Sequence, residues 1–241
     1  MREAASVKPA PRNILTIDVG GRNVKLLATG HHEPVKIRSG KTMTPSRLVT
    51  AVQRATKKWK FDAVSIGYPG PVRGGRPVTD PPHLGPGWKR FDFEKAFGCP
   101  VRIVNDAAMQ ALGSYDGGTM LFLGLGTGLG SVMIVDGIVE PLELGHLPFR
   151  KRTFEDYVSR HALEKHGKTK WQTAVFETVE HLSAAIQPDY VVLGGGEAEE
   201  LDQLPDNCRL GSNANAFVGG FRLWEPEWIH RTHGGVGDVA G

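Results

Sequence analysis

The stretch MLFLGLGTGLGSVMIV, residues 120–135, decides the fold. Its apolar runs Met120 to Leu125 and Ser131 to Val135 read as strands, joined by the glycine-dense turn Gly124-Leu125-Gly126-Thr127-Gly128-Leu129-Gly130. A dinucleotide-binding G-x-G-x-x-G turn opens a helix. These glycines alternate singly and lead back into a strand, so that reading fails. A Walker A loop fails as well, because Gly40-Lys41-Thr42 and Gly167-Lys168-Thr169 lack the earlier glycine, with Val35 and Ala162 in its place. What remains is a strand-turn-strand anion site. Backbone N–H groups free of Cβ crowding can converge on phosphate oxygens at Gly126 and Gly128, and the Thr127 hydroxyl adds a donor.

Outward from this stretch the plan recurs. Ile14 to Asp18 and Val24 to Ala28 are apolar strands joined by Gly20-Gly21, so each half carries strand, glycine turn, strand. Such a repeat predicts two related lobes, each lending a turn to one cleft; two unrelated hairpins is the alternative the pattern leaves open. Helices are expected over Pro45 to Trp59, Phe154 to Lys165, Trp171 to Ile186 and Ala214 to Leu223, and strands over Ala63 to Gly67 and Tyr190 to Leu193. The fold class is therefore α/β. Gly194-Gly195-Gly196 after the last strand is either a third close-approach point for a ligand or a tightly packed helix entry. The polar start, residues 1–12, and the Pro, Gly and His-containing end, residues 225–241, are expected to lie outside the fold as flexible ends.

Two carboxylates stand at element ends. Asn105 reads as an N-cap after the run Val101, Ile103, Val104, which sets Asp106 at a helix start, where the partial positive charge is expected to keep it ionised and able to accept a proton from an alcohol. Asp18, facing Gly20-Gly21, suits a magnesium ion held largely through water, or simply closes the hairpin. Lys25 reads as a solvated strand residue.

Bulk composition narrows the class. The 241 residues are 40% hydrophobic and 23% charged, enough to bury a real core, and the formal net charge of +3 gives no general nucleic-acid scaffold. The clusters Arg150-Lys151-Arg152 and Lys165 to Lys170 either attract a polyanion or form a solvated face. Cys99 and Cys208 read as reduced thiols, which points to the cytoplasm. No apolar run approaches the roughly 20 residues that span a bilayer, and Met1 to Pro11 lacks a signal-peptide core, so no membrane is expected.

The set Asp18-Val19-Gly20-Gly21, Gly67-Tyr68-Pro69-Gly70-Pro71, Asn105-Asp106, Gly124 to Gly130, Glu143-Leu144-Gly145-His146 and Tyr190 to Gly196 resembles the ROK family of sugar kinases. Through Glu155-Asp156-Tyr157, Lys168-Thr169-Lys170-Trp171 and Asn213-Ala214-Asn215-Ala216-Phe217 it looks most like the polyphosphate glucokinase branch. The resemblance implies a two-lobed actin-like ATPase fold of the ribonuclease H type with a central cleft. Its lobes would be residues 1–108 and 109–211, the helix at about 212–224 rejoining the first. It also implies transfer of a phosphoryl group from ATP or polyphosphate to the 6-hydroxyl of glucose or a related hexose. Asp106 would be the base; Asn105, Glu143, His146 and Glu155 the sugar ligands; Asp18, Gly20, Gly21, Gly126, Thr127, Gly128, Gly194, Gly195 and Gly196 the donor side. Mg2+ and a homodimer are expected, nucleic acid is not. Leu147 to Lys151 replace the cysteine-rich zinc motif of many ROK proteins, so no zinc is expected. Arg22 stands where the family has a Thr or Ser, His83 where an asparagine is common, and Glu197 where asparagine is frequent. Glu197 is expected to repel phosphate, making ATP the poorer donor. These departures keep open a catalytically impaired sugar-binding or regulatory protein.

Overall fold

A computed structural model of the chain describes residues 11–229; the expected flexible ends 1–10 and 230–241 lie outside the described residues. In chain order, the first half comprises β1 (Ile14–Val19), β2 (Asn23–Ala28), β3 (Val35–Arg38), α1 (Pro45–Ala55) and β4 (Ala63–Tyr68). It continues with a small hairpin, β5 (Val72–Arg73) and β6 (Arg76–Pro77), then α2 (Phe93–Phe97) and β7 (Val101–Asn105). After α3 (Asp106–Ser114) come β8 (Thr119–Leu125), β9 (Leu129–Val135), β10 (Ile138–Leu142) and a second small hairpin, β11 (Pro148–Phe149) and β12 (Arg152–Thr153). The chain ends in α4 (Phe154–Val158), α5 (Arg160–His166), α6 (Lys168–Ile186), β13 (Tyr190–Gly194), β14 (Cys208–Leu210), α7 (Asn215–Arg222) and α8 (Pro226–Ile229).

The two main sheets repeat one topology. The first has the order β3-β2-β1-β4-β7 and the second β10-β9-β8-β13-β14. In each, three antiparallel strands meet two parallel ones at the strand that precedes the glycine turn. A parallel strand covered on both faces is mostly apolar, and all of β4 and β13 is buried; the Ser65 hydroxyl on β4 donates to Gly220 O.

Three apolar cores follow. One face of the first sheet packs on α1 and on Trp88 and Phe93; one face of the second packs on α4, α5 and α6 through Phe154, Val158, Trp171 and Val175. The third lies between the sheets, where Ile14 and Ala63 meet Met120, Phe122, Val132, Tyr190 and the helix residues Ala108 and Leu112. Helices α3 and α7 cross in this middle layer at backbone contact. A Cβ on Gly113 would stand 1.9 Å from Asn215 O and one on Gly219 1.8 Å from Met109 O, so only glycine admits the crossing.

Local rules account for the helix ends. Thr44 caps α1 through Arg47 N–H ahead of Pro45, and Thr153 with Asp156 forms a capping box on α4. The helix expected over Phe154 to Lys165 is two helices, because Ser159 adopts an extended φ −68°, ψ 165° between α4 and α5. The end expected to be loose from residue 225 instead forms α8, whose Trp228 is buried edge-on against Tyr115. Pro11 and Arg12 are described as well, with Arg12 N–H 3.4 Å from Asp62.

Candidate active site

A cleft of 1790 Å³ runs between the sheets, lined from the first by Asp18, Gly20, Gly21 and Asn105 and from the second by Gly126, Thr127, Gly128, Gly195 and Gly196. Asp106, Glu143, His146 and Glu155 line it too. A smaller groove of 660 Å³ between β3 and α1 holds neither carboxylate nor histidine.

Asp106 takes its place from the junction of β7 and α3. Asn105 leaves the strand in an extended conformation and its Oδ1 accepts from Ala108 N–H at 3.1 Å, starting the helix. The Asn105 amide in turn donates to Gly70 O at 3.2 Å, tying the helix start to the loop after β4. Asp106 Oδ1 accepts from Ala107 N–H at 2.8 Å. The expected full ionisation is corrected here. Burial first, and the nearby Asp18 carboxylate second, push the Asp106 carboxyl up to about 7 against the lowering effect of its backbone hydrogen bonds.

Asp18 sits opposite Lys25 in the β1–β2 register, with Nζ to Oδ2 at 3.8 Å. Lys25 is thus an ion-pair partner rather than a solvated residue. Burial raises the Asp18 carboxyl while Lys25 pulls it back. Among the described residues no three or more His, Cys, Asp or Glu side chains gather as a metal cage. A single carboxylate completed by water and donor phosphate is the coordination Mg2+ favours, so Asp18 fits that ion and no other side chain need join it.

The glycine turn closes on itself through Gly126 N–H to Gly128 O at 3.1 Å, leaving Thr127 exposed at its tip. Behind it, Glu155 on α4 accepts from Leu129 N–H at 3.1 Å; a Cβ on Gly128 would come within 2.2 Å of that carboxylate. Glu155, expected as a sugar ligand, braces the glycine turn in this structure. Glu143, which precedes the 3-10 turn Leu144–His146, and His146, which ends it, stand exposed 3.8 Å apart. The turn Gly194 to Gly196 leads not into an α-helix but into a 3-10 turn at Ala198–Glu200, and the Gly195 backbone lies against Leu125 O.

The expected repulsion at Glu197 is also corrected. Its buried carboxylate pairs with the Arg160 guanidinium, which neutralises it. His83 reaches the first glycine turn, 3.3 Å from a Cβ placed on Gly21. Arg160 is a cleft residue that the sequence reading missed. The isolated Ser-Arg step carried no signal, since its partner lies 37 positions away.

Two lobes built on the same five-stranded plan, with glycine turns and a half-buried carboxyl facing one cleft, define an actin-like ATPase fold of the ribonuclease H type. The chain belongs to the ROK family, whose model matches residues 14–174. It is 27% identical to the polyphosphate glucokinase of Mycobacterium tuberculosis over 208 residues, 78% of each chain. Among solved structures it is similar to the inorganic polyphosphate/ATP-glucomannokinase of Arthrobacter sp. strain KM, with a TM-score of 0.74 and 24% identity over 88% of this chain and 97% of that one. It is likewise similar to a ROK family glucokinase of Streptomyces griseus solved with glucose and AMPPNP, with a TM-score of 0.72 and 17% identity over 88% and 99% of the two chains.

Proposed function

We propose that this chain is a hexose kinase that moves a terminal phosphoryl group from polyphosphate or ATP to the 6-hydroxyl of glucose or a related hexose. The observation that carries the reading is Asp106, a carboxyl at the cleft floor whose pKa of about 7 matches the need of a general base at neutral pH. Its family membership and its polyphosphate glucokinase relatives support the reaction class.

In this mechanism Asn105, Glu143, His146 and Glu155 hold the sugar hydroxyls. Charged acceptors suit vicinal hydroxyls and leave analogues lacking them unpaired. Asp106 takes the proton of the 6-hydroxyl as its oxygen bonds to phosphorus, and the phosphoanhydride bond breaks toward ADP or a chain shortened by one phosphate. Gly21, Thr127, Gly128, Gly195 and Gly196 present backbone and hydroxyl donors to the donor phosphates, so charge forming there meets fixed dipoles, while Gly20 and Gly126, whose N–H groups close their turns on Asn23 O and Gly128 O, and Gly194 at the end of β13 shape the cradle. Mg2+ held at Asp18 through water would neutralise donor charge. The lobes we assign are residues 1–108 and 109–211, with residues 212–224 rejoining the first; the packing of α7 on β1 and β4 supports that assignment, and its closer packing on α3 puts it at the junction of the two. The reading brings with it a cytoplasmic enzyme and a homodimer. None of the described helices is long and apolar enough to cross a membrane.

A matrix of donors (ATP, tripolyphosphate, long-chain polyphosphate) against sugars (glucose, mannose, N-acetylmannosamine) tests the proposal. Phosphorylation of glucose with at least one donor is expected. Glucose binding without turnover under any donor would leave a sugar-binding protein instead.

A further inference from the structure

We infer that Arg160, held in place by the buried Glu197, donates hydrogen bonds to phosphate oxygens of the phosphoryl donor upstream of the transferred group. This rests on the kinase reading above and adds to it a residue that reads the donor.

The geometry of the pair carries the inference. Arg160 engages Glu197 Oε1 through Nε alone; neither terminal guanidinium nitrogen has a hydrogen-bond partner among the described residues. The Arg160 side chain keeps 30% of its exposure while that of Glu197 keeps 9%, so the carboxylate is the anchor and the fork faces the cleft it lines. Side-on pairing through Nε leaves the planar fork free, and that fork matches phosphate oxygens two at a time.

The surroundings point the same way. The fork emerges where two glycine turns meet: Nη2 lies 3.5 Å from a Cβ placed on Gly196, and Glu197 Oε2 lies 3.8 Å from one on Gly126. Both partners are also fastened to the glycine turn by backbone bonds, Arg160 N–H to Gly126 O at 2.7 Å and Glu197 N–H to Leu125 O at 3.2 Å. Arg160 therefore moves with the turn that cradles the donor. Glu197 Oε2 is itself buried without a partner. A carboxylate buried with one oxygen unpaired is costly, so Glu197 depends on the guanidinium that it anchors. Glu164, one turn along α5, lines the same cleft and faces the guanidinium as well, so the pair offers directed hydrogen bonds rather than net positive charge. That arrangement selects a phosphate able to accept the fork over a diffuse anion.

The test uses Arg160→Ala, Arg160→Lys and Glu197→Gln in the full chain. Calorimetric titration with tripolyphosphate and with Mg-ATP reads the contact directly, and steady-state kinetics with glucose reads it under turnover. Arg160→Ala is expected to raise the Kd and KM of the donor at least about tenfold, the loss of a charge-assisted pair, and to leave the Kd of glucose within about twofold. Glucose binding also certifies that each variant is folded; Arg160→Lys, which keeps the charge beside Glu197 and lacks the fork, serves if the alanine variant does not fold. Glu197→Gln is expected to raise donor KM with little change in kcat, since it loosens the anchor only. Loss confined to tripolyphosphate, confined to Mg-ATP, or common to both identifies the donor that Arg160 seats. Donor Kd within twofold of wild type in both Arg160→Ala and Arg160→Lys overturns the inference. Absence of turnover in the wild type would sink the kinase reading alone, since the titrations need no catalysis.

Discussion

Asp106 is placed where two influences oppose each other. The start of α3 and the Ala107 N–H favour the carboxylate, whereas burial and Asp18 favour the acid, and the acid form gains enough that the group titrates at about 7. The kcat/KM of the kinase reaction is therefore expected to climb with pH through about 7 and level off above it, which a pH–rate profile measures. Asp106→Asn should lower kcat by roughly 10²- to 10⁴-fold or more, with the Kd of glucose, read by calorimetry, held within a few-fold; near-normal kcat would reject Asp106 as the base. The same shift has a stability consequence. The folded pKa lies above the ordinary 3.8, so the folded state binds the extra proton between about pH 4 and pH 7, and the stabilisation present below that window is lost as pH rises through about 7. Removing the charge should then help only where it exists. Asp106→Asn is expected to raise the melting temperature of the unliganded protein by a few degrees at pH 8, about 2–4 °C per kcal/mol, and hardly at all at about pH 4, where the unfolded chain is only beginning to ionise. Equal shifts at both pH values, followed by calorimetry, would contradict the titration.

Elements whose signal is local were legible in the sequence, and those made by tertiary partners were not. The paired hairpins read correctly because apolar runs broken by glycine turns are a short-range pattern, and the Asn105 cap read correctly because it precedes a helical period. By contrast β3 and β14 are short edge strands, mostly half-exposed or exposed, and β10 carries Pro141, so none offers an apolar run. In the candidate site, residue type and position pointed to Asp106 and the glycine turns that line the cleft. The Lys25 partner of Asp18 depends on strand register, and the Arg160–Glu197 pair on packing of α5 beside the loop after β13. The glycines of α7 looked like a mere run of small residues, but Gly219 is where α3 and α7 touch. Gly219→Ala would drive a methyl into Met109 O, so it is expected to cost at least the 1–3 kcal/mol typical of overpacking, visible as a fall in the urea midpoint. An unchanged midpoint would show that the crossing has slack.

At the scale of the whole molecule, a net charge of +3 supplies little long-range attraction for a polyanion, so where the cations stand would decide how the proposed polyphosphate donor is held. Half of the six lysines and arginines in the outer basic clusters are paired internally. Arg150 meets Glu177 at 2.6 Å, Arg152 lies 3.7 Å from Asp156 and Lys168 meets Asp202 at 2.6 Å. Within the cleft, Arg22 and Lys41 have no side-chain partner among the described residues, and Arg160 offers a free fork. Exposed pairs on the outside contribute little and are already neutralised, so replacing Arg150, Arg152 and Lys168 together by Gln is expected to leave the KM of polyphosphate within about twofold. Raising ionic strength from about 0.1 to about 1 M, which shortens the Debye length from about 10 to about 3 Å, is expected to raise that KM severalfold in wild type and triple variant alike. Steady-state kinetics across a salt series measures both. A triple variant that loses polyphosphate use tenfold while keeping ATP would move the polyanion track out of the cleft and onto the face of α4 and α6.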